Sequence, residues 1–232
     1  MKDKIILILV VLGVILLAFF VLQINKKREP SPNLPLPQAG DLDIAICDSA
    51  NGPFSLNIDN PYFPLAVGSV QILEQSESKV QISVLDETEV VAGVTTRVVE
   101  EREWEDGNLI EVSRNFFAQA TDGTVCYYGE DVDIYQNGVI TGHSGAWRAG
   151  VGDNKPGIIM PANPAVGQKY QQEIAPGVAT DRAEHIAMEP SFTTPVGTFN
   201  NVLVVKEDPP SDKRYAPGVG MVYDDGMVIT KK

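Results

Sequence analysis

REWEDGNLIEVSRNFFAQATDGTVCYYGEDVDIYQNGVITG, residues 102–142, contains three Asx-Gly pairs separated by strand-length runs: Asp106-Gly107, Asp122-Gly123 and Asn137-Gly138. Such a pair readily adopts the positive φ angles of a two-residue hairpin turn, and between β-rich runs it is the strongest short-range hairpin signal. Three in succession predict an antiparallel meander. A fourth pair, Asp225-Gly226, predicts one more hairpin. Two-residue loops would also set the register. Trp104 then faces Leu109 and Arg102 faces Glu111. Ala118 faces Tyr127 and Phe117 faces Tyr128, with Cys126 on the side of Tyr128. Tyr135 faces Ile140, Asp133 faces Gly142 and Asp131 faces Ser144. One face thus gathers Asp131, Asp133, Tyr135 and Ser144, and the other Glu130, Val132, Ile134 and His143. A one-residue slip would exchange them.

Outward from this stretch, residues 69–73 and 80–85 alternate apolar and polar around a polar turn, and residues 170–174, 192–205 and 215–230 read as further strands. Between 145 and 167 regular signals fade. The segment is still apolar at Trp147, Val151, Ile158, Ile159 and Met160, which predicts a loop that packs on the domain. Residues 178–189 fit helix and strand alike. No βα repeat occurs. The expected fold is all-β, an antiparallel meander forming a curled sheet or half-barrel, preceded by one N-terminal transmembrane helix.

That helix is read from the run beginning at Ile5 and ending at Ile24, twenty residues without charge, long enough to cross the hydrocarbon core of a bilayer. No small-residue cleavage site follows it, so residues 1–28 read as an uncleaved single-pass anchor. Four prolines in residues 29–40 make an extended, semi-rigid linker. The domain then occupies residues 41–232. Flanking charge is nearly balanced across the span. The linker and the cysteine pair instead orient the domain to the extracytoplasmic side of the cell membrane. Cys47 and Cys126 are the chain's two cysteines, and in an oxidising compartment they are expected to form a disulfide.

The 232 residues carry a net charge of −13; residues 29–232 alone hold 13 basic against 30 acidic residues, net −17. So acidic a surface repels phosphate backbones and argues against nucleic acid as a partner. For chemistry, GHSGA at 142–146 approximates a nucleophile elbow, with Asp153 or Asp181 and His185 downstream. That motif needs a helix after the serine, and WRAGVGDNKPG is not helical. Glu130, Asp131 and Asp133, with Asp153 or Asn154, offer oxygen ligands to calcium, but Gln136 stands where an EF-hand loop has glycine. His143, Met160, His185 and Met188 lack any soft-metal spacing. No resident cofactor is indicated. The ligand-binding candidates are Glu130, Asp131, Asp133, His143, Ser144, Trp147 and Asp153, with Trp147 as the anchor for a cell-envelope protein or lipid.

DNPYFPL at 59–65, YYGED at 127–131, GAWRAG at 145–150, PGIIMPANPAVG at 156–167, YQQE at 170–173 and YAPGVG at 215–220 occur in that order. As a set they resemble an uncharacterised family of exported or membrane-anchored bacterial and archaeal β-domains, and YAPGVG is remotely similar to TapB-like exported domains. The resemblance implies export and an all-β fold, and no reaction. Cys126 stands where the resemblance implies an aromatic residue, which would make the disulfide particular to this chain and near relatives. The expected function is a membrane-anchored binding or structural domain at the cell surface, with an envelope hydrolase as the alternative, its site between Glu130–Asp133 and residues 142–167.

Overall fold

The computed structural model describes residues 41–232; the expected membrane span and the whole of the expected linker lie outside them. Among the described residues no helix is long and apolar enough to cross a membrane. Two short 3₁₀ turns, Ile44–Cys47 and Ser49–Asn51, precede fourteen strands. These are β1 Val70–Gln75, β2 Ser78–Val91, β3 Val94–Glu105, β4 Asn108–Gln119, β5 Val125–Gln136, β6 Val139–Gly142, β7 Trp147–Arg148, β8 Gly157–Met160, β9 Lys169–Gln171, β10 Arg182–Thr194, β11 Gly197–Asp208, β12 Ser211–Ala216, β13 Gly220–Asp224 and β14 Met227–Lys231. All pair antiparallel in one sheet of order β6-β5-β4-β3-β2-β1-β14-β13-β12-β11-β10-β9, with β7 and β8 added on β5. The path ends at β6 and β9 and does not close into a barrel. Residues 178–189, open between helix and strand, run into β10. The weakly patterned 145–167 segment contributes β7 and β8 to the sheet.

Three Asx-Gly pairs make the expected two-residue turns, with positive φ at Asp106, Asn137 and Asp225 and at the glycine after each. The pairs nearest these turns come out as expected at Trp104↔Leu109 and Tyr135↔Ile140. One step further, an irregularity in each ladder shifts the register. Glu103, not Arg102, faces Glu111, and Ile134, not Asp133, faces Gly142. β6 then ends, so Asp131 has no ladder partner at Ser144. Around Asp122-Gly123 the connection is one residue longer than expected. The Asp122 carboxylate accepts from the Thr124 N–H (2.8 Å) and hydroxyl (3.0 Å), and the Ala120 N–H donates to Thr124 O (2.8 Å). The register moves by one, to Phe117↔Tyr127 and Ala118↔Cys126. A turn at Ala92-Gly93, with φ of 50° and 82°, joins β2 to β3 without an Asx residue.

Two bulges shape the sheet. In β5, Tyr128 and Gly129 together oppose Phe116, because Asn115 pairs with Glu130 and Phe117 with Tyr127. Gly129 has φ +132°, and a Cβ there would lie 2.8 Å from Arg148 Cα; only glycine fits. The extra residue inverts the alternation, so Tyr127 and Glu130 share one face and Tyr128 takes the other. In β2, residues 85–87 bulge around Arg97, whose guanidinium donates to Leu85 O (3.3 Å) and Glu87 O (3.4 Å).

One apolar core spans the sheet, from Leu73, Val80 and Val84 through Phe116, Phe117 and Tyr127 to Leu203, Val205, Tyr215 and Ile229. On the Tyr128 side the N-terminal segment covers β5. The Cys47–Cys126 disulfide is formed, with Cα atoms 5.5 Å apart, and the Tyr128 hydroxyl donates to Cys47 O (2.9 Å). The DNPYFPL stretch is a knot. Gln119 Oε1 accepts from the Asp59 and Asn60 N–H groups (3.0 Å each), and the Asn60 side chain donates to Gly123 O (3.0 Å) and Pro161 O (2.9 Å). Phe63 packs on Phe117 of β4 and Tyr215 of β12, ring centroids 5.3 and 6.3 Å away.

Candidate functional site

Five of the seven candidate residues divide between the two faces of β5. Asp131 points to the side away from Tyr127 and is held by Arg148 (Nη2–Oδ2 2.6 Å; Nε–Oδ1 3.1 Å), whose other nitrogen reaches Glu89 (2.9 Å). His143 Nδ1 lies 2.9 Å from Asp133 Oδ1 and 2.9 Å from Val132 O, on an exposed imidazole. The sequence register put these two residues on opposite faces; because β6 stops at Gly142, its alternation does not extend to His143. Ser144 and Asp153 are exposed. Glu130 and Trp147 are cross-strand partners on the Tyr127 face. Trp147 is buried, its indole 5.3 Å from the Tyr127 ring and edge-on to it. Its N–H has no hydrogen-bond partner among the described residues.

That inner face carries a polar cluster absent from the sequence reading. Alternation along regular β3, β4, β11 and β12 puts Glu101, Glu103, Glu111, Ser113, Asn115, Glu207, Lys213 and Tyr215 on it, and pairing with Lys213 adds Asp224. Lys213 Nζ is 3.2 Å from both Glu207 Oε2 and Asp224 Oδ1. Gln172 donates to Glu207 Oε1 (2.9 Å), and the buried Tyr127 hydroxyl donates to Asn115 Oδ1 (2.6 Å).

Burial acts against the Lys213 ammonium, but Glu207 and Asp224 outweigh it and hold the group protonated well past the usual lysine range. Burial pushes Glu101 up to about 7, helped by the negative charges of Glu103, Asp224 and Glu111 and opposed by Lys213. Tyr127 and Tyr215 are raised far above the ordinary phenol, first by burial and then by surrounding carboxylates. Titration so far from normal marks candidate functional positions. Nearby, His185 is fully buried with Nε2 2.9 Å from the Tyr170 hydroxyl, and burial lowers it to about 4.

Among the described residues no group of three or more His, Cys, Asp or Glu side chains is arranged to hold a metal ion. The only sequence signal for the inner cluster was the density of acids; its lysine lies about 110 residues from Glu101 in the chain. No family model, curated protein or solved structure matches the chain.

Proposed function

We propose that this chain is a single-pass membrane protein whose β-domain faces the extracytoplasmic side and binds a cell-envelope protein or lipid on the inner face of a curled sheet. The observation that carries the binding reading is that Tyr127, Trp147, Glu101 and Lys213 lie on a face that also carries the apolar core. A few polar groups convergent on an apolar surface are the usual make-up of a ligand site.

Three facts support curling. β3 and β12 stand five places apart along the sheet, about 24 Å if it were flat, yet the charge of Lys213 acts on Glu101. Phe63 touches both β4 and β12. An isolated bridge, Lys155 N–H to Ile174 O at 2.8 Å, links the segments flanking β8 and β9. The twenty-residue apolar run supports the anchor, and the formed disulfide supports an oxidising compartment. The resemblance to exported β-domains agrees with both.

The test is purification of the full-length chain from its own envelope in mild detergent, with mass spectrometry of co-purifying lipids and proteins. A molecule retained by the wild type and lost from Trp147→Phe, which keeps the packing and removes the N–H, is the expected result. Identical profiles for the two proteins would overturn the reading.

The hydrolase alternative rests on the 2.9 Å contact between His143 and Asp133, which could orient an imidazole as general base. Hydrolysis of model esters that survives His143→Gln would remove it.

A further inference from the structure

The sheet path has two ends, and the chain guards them unequally. At β9 the Leu42 N–H donates to Lys169 O (2.8 Å), Asp41 bridges Lys169 and pairs with Arg182, and β10, where it runs on past β9, carries Pro190. Cover, charge and proline are how native proteins keep a sheet edge from recruiting another strand. At the other end lies β6. Among the described residues no strand pairs on its outer side, and the stretch NGVITG at 137–142 has neither charge nor proline. Val139 (64%) and Ile140 (44%) are both exposed there. Val139 and Gln136 flank the two-residue turn and form the hydrogen-bonded pair of the hairpin, so the Ile140 N–H and C=O point away from β5.

This edge is short, and beyond Ile140 its ladder is irregular. It can align only a few residues, far less than the roughly 1,000 Å² that holds two folded proteins together. An extended segment suits it better than a second copy. Charge indicates the chemistry of that segment. In the antiparallel order β6-β5-β4-β3-β2-β1-β14-β13, the turns of the β1–β2, β3–β4 and β13–β14 hairpins lie at the same end as Asn137-Gly138. They expose Glu77, Asp106 and Asp225 and contain no basic residue. Two copies, each of net charge −17 over residues 29–232, would also repel.

We infer that the outer edge of β6 takes up, as an added strand, a short extended segment of a cationic partner polypeptide. Main-chain bonds at Ile140 hold the segment, and the acidic turns draw it in, more weakly as salt rises. The edge lies apart from the inner face and does not depend on what that face binds.

The test uses the full-length chain in non-ionic detergent and a labelled synthetic peptide that alternates valine and threonine between terminal lysines, read by fluorescence anisotropy. Saturable binding that weakens with added salt is expected. Ile140→Pro removes the outward N–H and leaves the β5–β6 bonds in place, so affinity should fall about tenfold. Ile140→Thr, which keeps the N–H and the branched side chain, should stay within about twofold. The same peptide with its central amides N-methylated should not bind, a comparison that needs no change to the protein. No binding of the lysine peptide, or equal binding of its N-methylated or glutamate-ended forms, sinks the proposal. Self-association of the wild type by light scattering, abolished in Ile140→Pro, also sinks it by giving the edge to a second copy.

Discussion

The two faces of β5 make opposite use of carboxylates. On the outer side Asp131 and Asp133 meet partners close in sequence, Arg148 and His143, at the solvated end of a hairpin. On the inner side Glu130 joins a cluster assembled from strands distant in the chain, to which Lys213, over a hundred residues from Glu101, contributes a positive charge. The outer pairs lie in high dielectric, where attraction is weak and screened. The inner groups are desolvated, so each charge shifts its neighbours' titration. Acid count alone does not separate the two; burial does.

The largest expected effect sharpens this contrast at a single loop. Trp147→Ala should cost about 3–5 kcal/mol in urea unfolding by opening a cavity against Tyr127, while Ser144→Ala, three residues away and exposed, stays within about 0.5 kcal/mol. Equal losses would break the division of the loop into an inward and an outward part.

His185 tests the inner face from its far end. Its native value of about 4 lies below the ordinary 6.5, so its contribution is present above pH 6.5 and is lost as pH falls towards 4. The loss approaches about 3 kcal/mol by the usual conversion of pKa into free energy. Glu101 acts in the opposite sense between pH 4.5 and 7, so the slope is measured in Glu101→Gln and should vanish on adding His185→Leu. Next, Lys213→Met leaves Glu207 and Asp224 facing each other. With the lysine about a fifth exposed (22%), screening trims the usual penalty for a broken buried pair to about 2–3 kcal/mol. A neutral result would show the inner cluster to be as solvated as the outer one. The smallest effect belongs outside: a double-mutant cycle of Asp133→Asn with His143→Gln should return a coupling below about 1 kcal/mol.

Legibility followed the range of the interactions. Asp106-Gly107, Asn137-Gly138 and Asp225-Gly226 revealed their hairpins because the positive φ angles are demanded by two adjacent residues. Register failed a step away at Arg102 and Asp133, because the irregularities there answer to packing between strands. At Asp122 the side chain closed a longer loop onto Thr124, a choice that an Asp-Gly pair does not disclose. Ala92-Gly93 escaped notice because alanine carries no turn signal. Of the candidate site, Glu130 and Trp147 pair across β5 and β7, a pairing the two-residue-turn register does not give. The bulge at Gly129, invisible in a pattern of alternating residues, is what puts Glu130 on the side of Tyr127.

The sequence by itself determined the all-β antiparallel class, most turns and the cysteine pair that is bridged, since these follow from local backbone preference, alternation and the absence of any other thiol. Tertiary structure alone decided which carboxylates are desolvated together. The partners of Glu101 come from β4, β12 and β13, and the free energy of a charge depends on what surrounds it in space, which a chain of residues does not state until it is folded.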